Sequence, residues 1–308
     1  MKKFEGINRR QFISMTTALG AGLVLPEIVL AKNTGILKTI AKTGESIPVI
    51  GMGTSRTFNV GSDATLLGSL AQVLQTFFDM GGGMIDSSPM YGSAQQVLGQ
   101  LLPLVKGDKN LFTATKVWTD GRQSGIEQME ESRQLWGIEG FDLMQIHNLV
   151  DWRTHLETLR QMKADGEIRY IGITTSHGRY HGKLENILKT EDFDFVQLSY
   201  NIGNRDVESA LLPIAEEKGI SVIVNRPYQR GELFRKVKGK ALPSWTQEFD
   251  CHSWGQFFLK FTISYPAVTC AIPATRKVKH LKDNMLAGQG LLPTAKQRAQ
   301  MLTFFEGL

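Results

Sequence analysis

The chain has 308 residues, 42% of them hydrophobic and 21% charged, an ordinary composition for a globular protein with a sizeable core. Single α/β barrels reach this length, so it does not force a second domain. A net charge of only +5, with no dense basic run interleaved with aromatics, excludes nucleic acid as the expected partner.

The N-terminus reads as an address. Lys2, Lys3, Arg9 and Arg10 form a positive head, followed by a moderately apolar stretch from Ile13 to Leu25 and by Val29-Leu30-Ala31, residues that suit a signal peptidase. Arg9-Arg10-Gln11-Phe12-Ile13 resembles the twin-arginine export motif. Residues 1–31 are therefore expected to be a signal peptide read by the twin-arginine export machinery and cleaved near Ala31. The mature protein would be bacterial and periplasmic. A spanning helix needs about 20 predominantly apolar residues, and Pro26 and Glu27 interrupt too early, so no membrane span is expected after cleavage.

Residues 35–308 carry no long linker. A hairpin is expected first: Leu37 to Ile40, a turn at Thr43-Gly44, then Ser46 to Pro48. Eight strand-like runs follow at 49–54, 83–88, 111–117, 142–149, 168–175, 194–201, 220–227 and 268–275. They are short and apolar without clean alternation, as strands buried on both faces are. Amphipathic stretches lie between them. Ala64 to Phe78 places Leu67, Leu70, Ala71, Leu74 and Phe78 on one face, and Trp152 to Met162 places Leu156, Leu159 and Met162 on another. Gly81-Gly82-Gly83, Gly140, Gly166 and Gly219 mark passages from helix to strand and read as left-handed helix ends. Eight alternations point to a single (β/α)8 TIM barrel with an N-terminal β-hairpin, a doubly wound sheet being the alternative. The stretch from Tyr228 to about Ser253 reads as a long loop on the catalytic side. Cys251 and Cys270 fit no metal or redox spacing; they read as buried, unpaired thiols, and no metal site is expected.

Four polar residues stand at strand-like ends: Asp86, Tyr91, Lys116 and His147. Asp86, Lys116 and His147 are spaced by about one βα unit, and a parallel barrel brings successive strand ends to one mouth. Carbonyl reduction needs a proton delivered to the developing oxyanion. A tyrosine can deliver it, a nearby ammonium would lower its high pKa, a carboxylate would hold that ammonium, and a neutral histidine would orient the carbonyl. Singly, each residue has a bland reading as a helix cap, a solvated charge or a satisfied core histidine.

Together the motifs resemble the aldo/keto reductase family. GMIDSSPMYGSAQQVLG is similar to its signature, with Tyr-Gly five residues after Asp, and Lys116 in ATKVW and His147 in DLMQIHN fall where the family has its lysine and histidine. The similarity runs from about Leu37 to the C-terminal region. It implies an NADP(H)-dependent barrel without a Rossmann domain, with Asp86, Tyr91, Lys116 and His147 as catalytic residues and a small-molecule carbonyl as substrate.

Gly51-Met52-Gly53-Thr54 lacks the third glycine of a dinucleotide fingerprint; as the family's first strand-end loop, Gly53 and Thr54 are expected to let NADP approach closely. IPATRKVKHLKDN, residues 272–284, leads into a helix at Val278 or Lys279, whose amides would attract phosphate. Thr275, Arg276, Lys277 and His280 add donors and charge, favouring NADP over NAD, and the resemblance puts Asn284 and Asp283 near the adenine. It also gives Gln197 the nicotinamide carboxamide, with Thr174 and Thr175 where relatives more often have Ser and Asn. Tyr200 or the segment Arg226-Pro227-Tyr228 would pack beside the nicotinamide, a structural aromatic being the other reading. Trp118 and the 228–253 loop are expected to shape the substrate pocket. A redox-sensing module that binds nicotinamide and acts through a protein partner, and a lyase using Lys116 as a Schiff base, are the rival functions.

Overall fold

A computed structural model describes residues 35–107, 111–176 and 178–308 of the chain. The expected signal segment, residues 1–31, lies outside them.

The first two strands, β1 (Leu37–Thr39) and β2 (Ser46–Pro48), form the antiparallel hairpin, with Leu37 opposite Pro48. Eight parallel strands follow: β3 (Met52–Gly53), β4 (Met84–Asp86), β5 (Phe112–Val117), β6 (Phe141–Ile146), β7 (Ile168–Thr174), β8 (Phe195–Ser199), β9 (Ser221–Asn225) and β10 (Val268–Ala271). They pair in sequence order. The sheet closes where Ile50 bridges Ala271 in parallel, with Gly51 N donating to Ala271 O and Ala271 N to Val49 O. This is the (β/α)8 barrel. The first run, expected over 49–54, is regular strand for only two residues, although its amides follow both neighbours: Gly53 N donates to Pro273 O just beyond β10, and Thr54 N to Asp86 O of β4.

The helices are α1 (Ala64–Asp79), α2 (Ala94–Leu101), α3 (Arg122–Trp136), α4 (Trp152–Ala164), α5 (His181–Thr190), α6 (Leu211–Glu217), α7 (Glu232–Lys236), α8 (Trp254–Ile263), α9 (Val278–Ala287) and α10 (Ala295–Glu306). Asp63 starts α1 by accepting from Leu66 N, which satisfies one of the free amides of a helix start. Its buried stripe is Leu70, Val73, Leu74, Phe77 and Phe78; Leu67 and Ala71 stay partly exposed, so the face is rotated from the expected one. Gly81 takes the left-handed conformation that ends α1 (φ 82°), but Gly82 does not: a Cβ on Gly82 would lie 2.4 Å from the Phe77 ring, so that glycine is a packing requirement. The 228–253 stretch is partly ordered into α7 and two short 3-10 turns, Gln229–Gly231 and Ser244–Phe249.

Two apolar layers hold the barrel. Strand and helix side chains form the outer one. The inner one fills the barrel from below: Ile40 and Ile47 of the hairpin region meet Met84, Phe112, Leu143, Tyr170, Phe195 and Ile223. The bottom is plugged and the C-terminal strand ends are left for polar groups. Cys251 and Cys270 are buried free thiols. Among the described residues, no helix is long and apolar enough to cross a membrane.

Candidate active site

Asp86 is the last residue of β4, and Lys116 lies near the end of β5. Both are buried. Lys116 Nζ donates to Asp86 Oδ2 at 2.6 Å and to the Ser87 carbonyl at 2.7 Å. Burial pulls the Lys116 ammonium below its ordinary pKa, and Asp86 opposes that shift. Removing one partner of such a pair strands a buried charge, typically a loss of about 3–5 kcal/mol.

Tyr91 ends the 3-10 turn Pro89–Tyr91, which starts with Ser88 Oγ accepting from Met90 N. The Tyr91 ring stands edge-on to His147, with centroids 5.9 Å apart, and Lys116 Nζ lies 5.3 Å from its centroid. The four residues therefore converge. Their electrostatics depart from the expectation, however. No hydrogen bond joins Tyr91 to Lys116 among the described residues, and the phenol is pushed above its ordinary pKa by burial and by Asp86, with Arg226 opposing. Burial and the Asp86 carboxylate outweigh the lowering expected of a nearby ammonium. Tyr91 keeps its proton.

His147 follows β6 and is buried. Its Nδ1 is 2.9 Å from Ser88 Oγ. Burial, then the Lys116 charge, lower its pKa to about 3, so it is neutral at ordinary pH. Ser88 Oγ also accepts from Met90 N; in the tautomer where it donates to Nδ1, the hydrogen on Nε2 is the free donor. Trp118, 41% exposed, lies beside His147 with ring centroids 6.4 Å apart.

The other Asp86 oxygen is the part the sequence reading missed. Oδ1 accepts from Gln145 Nε2 at 2.9 Å and Gln197 Nε2 at 2.9 Å. Gln197 Nε2 also donates to Gln145 Oε1 at 3.1 Å, and Gln197 Oε1 accepts from Asn225 Nδ2 at 3.3 Å. A chain of amides thus runs from the carboxylate to the end of β9. Gln197 is turned into the barrel to hold Asp86, which spends both of its amide hydrogens and leaves Oε1 as its group for the expected contact with the carboxamide. The signal was present in DLMQIHN: Gln145 is two residues before His147, hence on the same face of the strand.

The remaining expected cofactor residues divide. A Cβ on Gly53 would stand 2.8 Å from the Ile272 carbonyl, so its bareness admits the neighbouring backbone. Thr54 Oγ1 bonds the Asp86 carbonyl and Ser87 Oγ, fixing the end of β4. Thr174 Oγ1 accepts from Asn148 N at 3.4 Å. Thr175 Oγ1, by contrast, is buried with no partner, as is Asn148 Oδ1; buried polar atoms without partners are uncommon and fit a missing ligand group. Thr275 Oγ1 accepts from Lys277 N, turning the chain into α9. The start of α9 has no side-chain cap, and Arg276, Lys277 and His280 are exposed around it. Asn284 is buried and accepts from Tyr228 Oη at 2.6 Å, and Asp283 accepts from Ser253 and Gln256. Tyr200 is bonded to Glu208 and Arg298. Tyr200 and Tyr228 are thus structural aromatics, and Arg226 is the residue of the second segment whose charge reaches Tyr91. A cavity of about 510 Å³ beyond β8 and β9, lined by Asn204, Asp206 and Gln229 among others, includes none of the four.

The model of the aldo/keto reductase family matches residues 49–300. The chain is 26% identical over 255 residues to methylglyoxal reductase YeaE of Escherichia coli (strain K12), covering 80% of this chain and 88% of the relative. The fold is similar to an aldo/keto reductase of Klebsiella pneumoniae solved with NADP and acetate: TM-score 0.71, 20% identity, 87% of this chain and 94% of that one. It is also similar to the aldo-keto reductase AKR11C1 of Bacillus halodurans: TM-score 0.72, 19% identity, 88% of this chain and 96% of that one.

Proposed function

The chain belongs to the aldo/keto reductase family, and from that premise we propose that it reduces an aldehyde or ketone to an alcohol with NADPH, Tyr91 donating the proton. The observation that carries this reading is the buried Asp86–Lys116 pair with Tyr91 and His147 gathered over it at the strand ends. NADPH supplies a hydride to the carbonyl carbon when bound. Tyr91, still protonated, hands its proton to the carbonyl oxygen. Lys116 stands beside the resulting phenolate and stabilises it, while Asp86 keeps the lysine charged. Neutral His147 offers Nε2–H to the carbonyl oxygen and orients it.

The structure's unpartnered atoms fit the cofactor. Thr175 Oγ1 and Asn148 Oδ1, buried without partners, would meet the nicotinamide carboxamide in this reading, with the free lone pair of Gln197 Oε1 as a further acceptor. The open start of α9, with Arg276, Lys277 and His280, suits the adenosine 2′-phosphate. Asn284 and Thr275 support that turn from within, and Thr54, Gly53 and Thr174 set the strand ends around it. Lys116, bound to Asp86 and Ser87, is poorly disposed to form a Schiff base. YeaE is named a methylglyoxal reductase, and a small dicarbonyl is a reasonable first substrate. In this reading, residues 1–31 direct the folded, NADP-loaded protein to the periplasm.

The test is NADPH oxidation on addition of methylglyoxal and a panel of aldehydes. Tyr91→Phe is expected to lower kcat by about 10²–10⁴-fold, the usual contribution of a general acid, while NADPH still binds with unchanged affinity. A Tyr91→Phe protein that turns over like the wild type would falsify the assignment.

A further inference from the structure

Asp86, Ser87 and Ser88 follow one another at the end of β4, and each grips a different part of the site. Asp86 Oδ2 and the Ser87 carbonyl both accept from Lys116 Nζ. Ser88 serves the other two residues. Its carbonyl accepts from Tyr91 N at 3.0 Å, which closes the 3-10 turn ending in the phenol. Its Oγ accepts from Met90 N of the same turn at 3.2 Å and lies 2.9 Å from His147 Nδ1. The Ser88 side chain therefore bridges the turn of Tyr91, on one strand end, and the imidazole that follows β6. Ser88 is 0% exposed, so its hydroxyl has no water to turn to and must find its partners within the protein.

Only one arrangement of hydrogens matches every group at this junction. His147 is neutral, its pKa lowered to about 3 by burial first and the Lys116 charge second, so the ring carries one N–H. With that hydrogen on Nδ1, Ser88 Oγ would accept from both Nδ1 and Met90 N. Its own hydrogen would then be buried with no acceptor among the described residues, a state that costs the full desolvation of a donor. With the hydrogen on Nε2, Ser88 donates to Nδ1, accepts from Met90 N, and nothing is left unmatched. We infer that Ser88 is a positioning residue for the reduction: its hydroxyl keeps the imidazole hydrogen on Nε2 while the same side chain seats the turn that presents Tyr91. One alcohol thereby sets both donors to the carbonyl oxygen, because the partner of one ring nitrogen fixes what the other can do. The role in reduction rests on the reductase reading; the tautomer does not.

The full-length protein, isotope-labelled at histidine, is read by nitrogen NMR between about pH 5 and pH 8, the range in which an ordinary histidine titrates. The His147 ring is identified as the one missing from His147→Gln. The wild type is expected to show that ring neutral throughout, with its hydrogen on Nε2, and Ser88→Ala to show a mixture of the two tautomers. With NADPH and methylglyoxal, Ser88→Ala should lower kcat by about 2- to 10-fold, the worth of one hydrogen bond, and leave NADPH affinity unchanged. A wild-type ring with its hydrogen on Nδ1 overturns the inference. A Ser88→Ala ring still wholly in the Nε2–H form overturns it too, since any loss of kcat would then come from the turn alone. A mixed ring with undiminished kcat removes Ser88 from the reaction. Should Ser88→Ala fail to fold, Ser88→Cys, near in size and a weaker donor, is read in its place against the same outcomes. If no carbonyl is reduced by the wild type, the reductase reading has failed, and the spectra still decide whether Ser88 sets the ring.

Discussion

At the scale of single residues, the site is built by buried groups that share hydrogen bonds. Asp86 accepts from Lys116 through one oxygen and from Gln145 and Gln197 through the other, so its charge is stabilised on both sides. Gln145 fits because Gly172 faces it across β6 and β7: a Cβ there would come within 2.8 Å of Gln145 Cγ. Gln145→Leu keeps the bulk but removes one donor from a buried carboxylate and one acceptor from Gln197. Denaturant titration should show a loss of about 1–3 kcal/mol, the cost of leaving buried polar groups unmatched, and kcat should fall because Asp86 and Lys116 are less firmly held. A variant with wild-type stability and kcat would remove Gln145 from the machinery. The meeting of Asp86, Tyr91, Lys116 and His147 was legible in the sequence, because each type and its place at or just past a strand end are written there. Gln197 was legible as a site residue but not in its partner. Its amide could face a ligand or the barrel, and only the packing of β6 and β8 inward decides.

At the scale of elements, α9 separates two jobs within one short helix. Its exposed start carries Arg276, Lys277 and His280, and its inner face carries Leu281, Asn284 and Met285. Charge at the start is free to meet phosphate; Asn284, tied to Tyr228, is spent on packing. The double change Arg276→Ala with Lys277→Ala should therefore weaken NADPH binding by about 10-fold or more, the loss of charge-assisted hydrogen bonds, and leave NADH binding nearly unchanged. Fluorescence titration with both nucleotides measures this, and an equal loss for both would deny that these residues read the 2′-phosphate. The α9 start was visible in sequence as a cluster of cations after an apolar strand. The extra order in 228–253 was not, because α7 spans only Glu232–Lys236, too short for a periodic pattern to declare itself. Its buried contact through Leu233 is a tertiary event.

At the scale of the whole molecule, a plugged barrel presents one polar mouth. The hairpin and Lys38, which donates to the carbonyls of Ile263, Tyr265 and Val268, seal the far end. A cofactor held at that mouth would have to be loaded before export, since the twin-arginine reading requires a folded passenger. The mature protein isolated from the periplasm should have lost about residues 1–31 and should release NADP on denaturation, as intact mass and nucleotide analysis would show. Changing Arg9 and Arg10 to lysine should leave full-length protein in the cytoplasm. Mature periplasmic protein with no nucleotide would oppose loading before export. The order of strands and helices, the hairpin and the four polar residues at the mouth were determined by sequence alone, because period, glycine placement and residue chemistry are local properties. The proton on Tyr91 and the inward turn of Gln197 were decided by tertiary structure, because burial and the distances between polar groups exist only once distant strand ends meet.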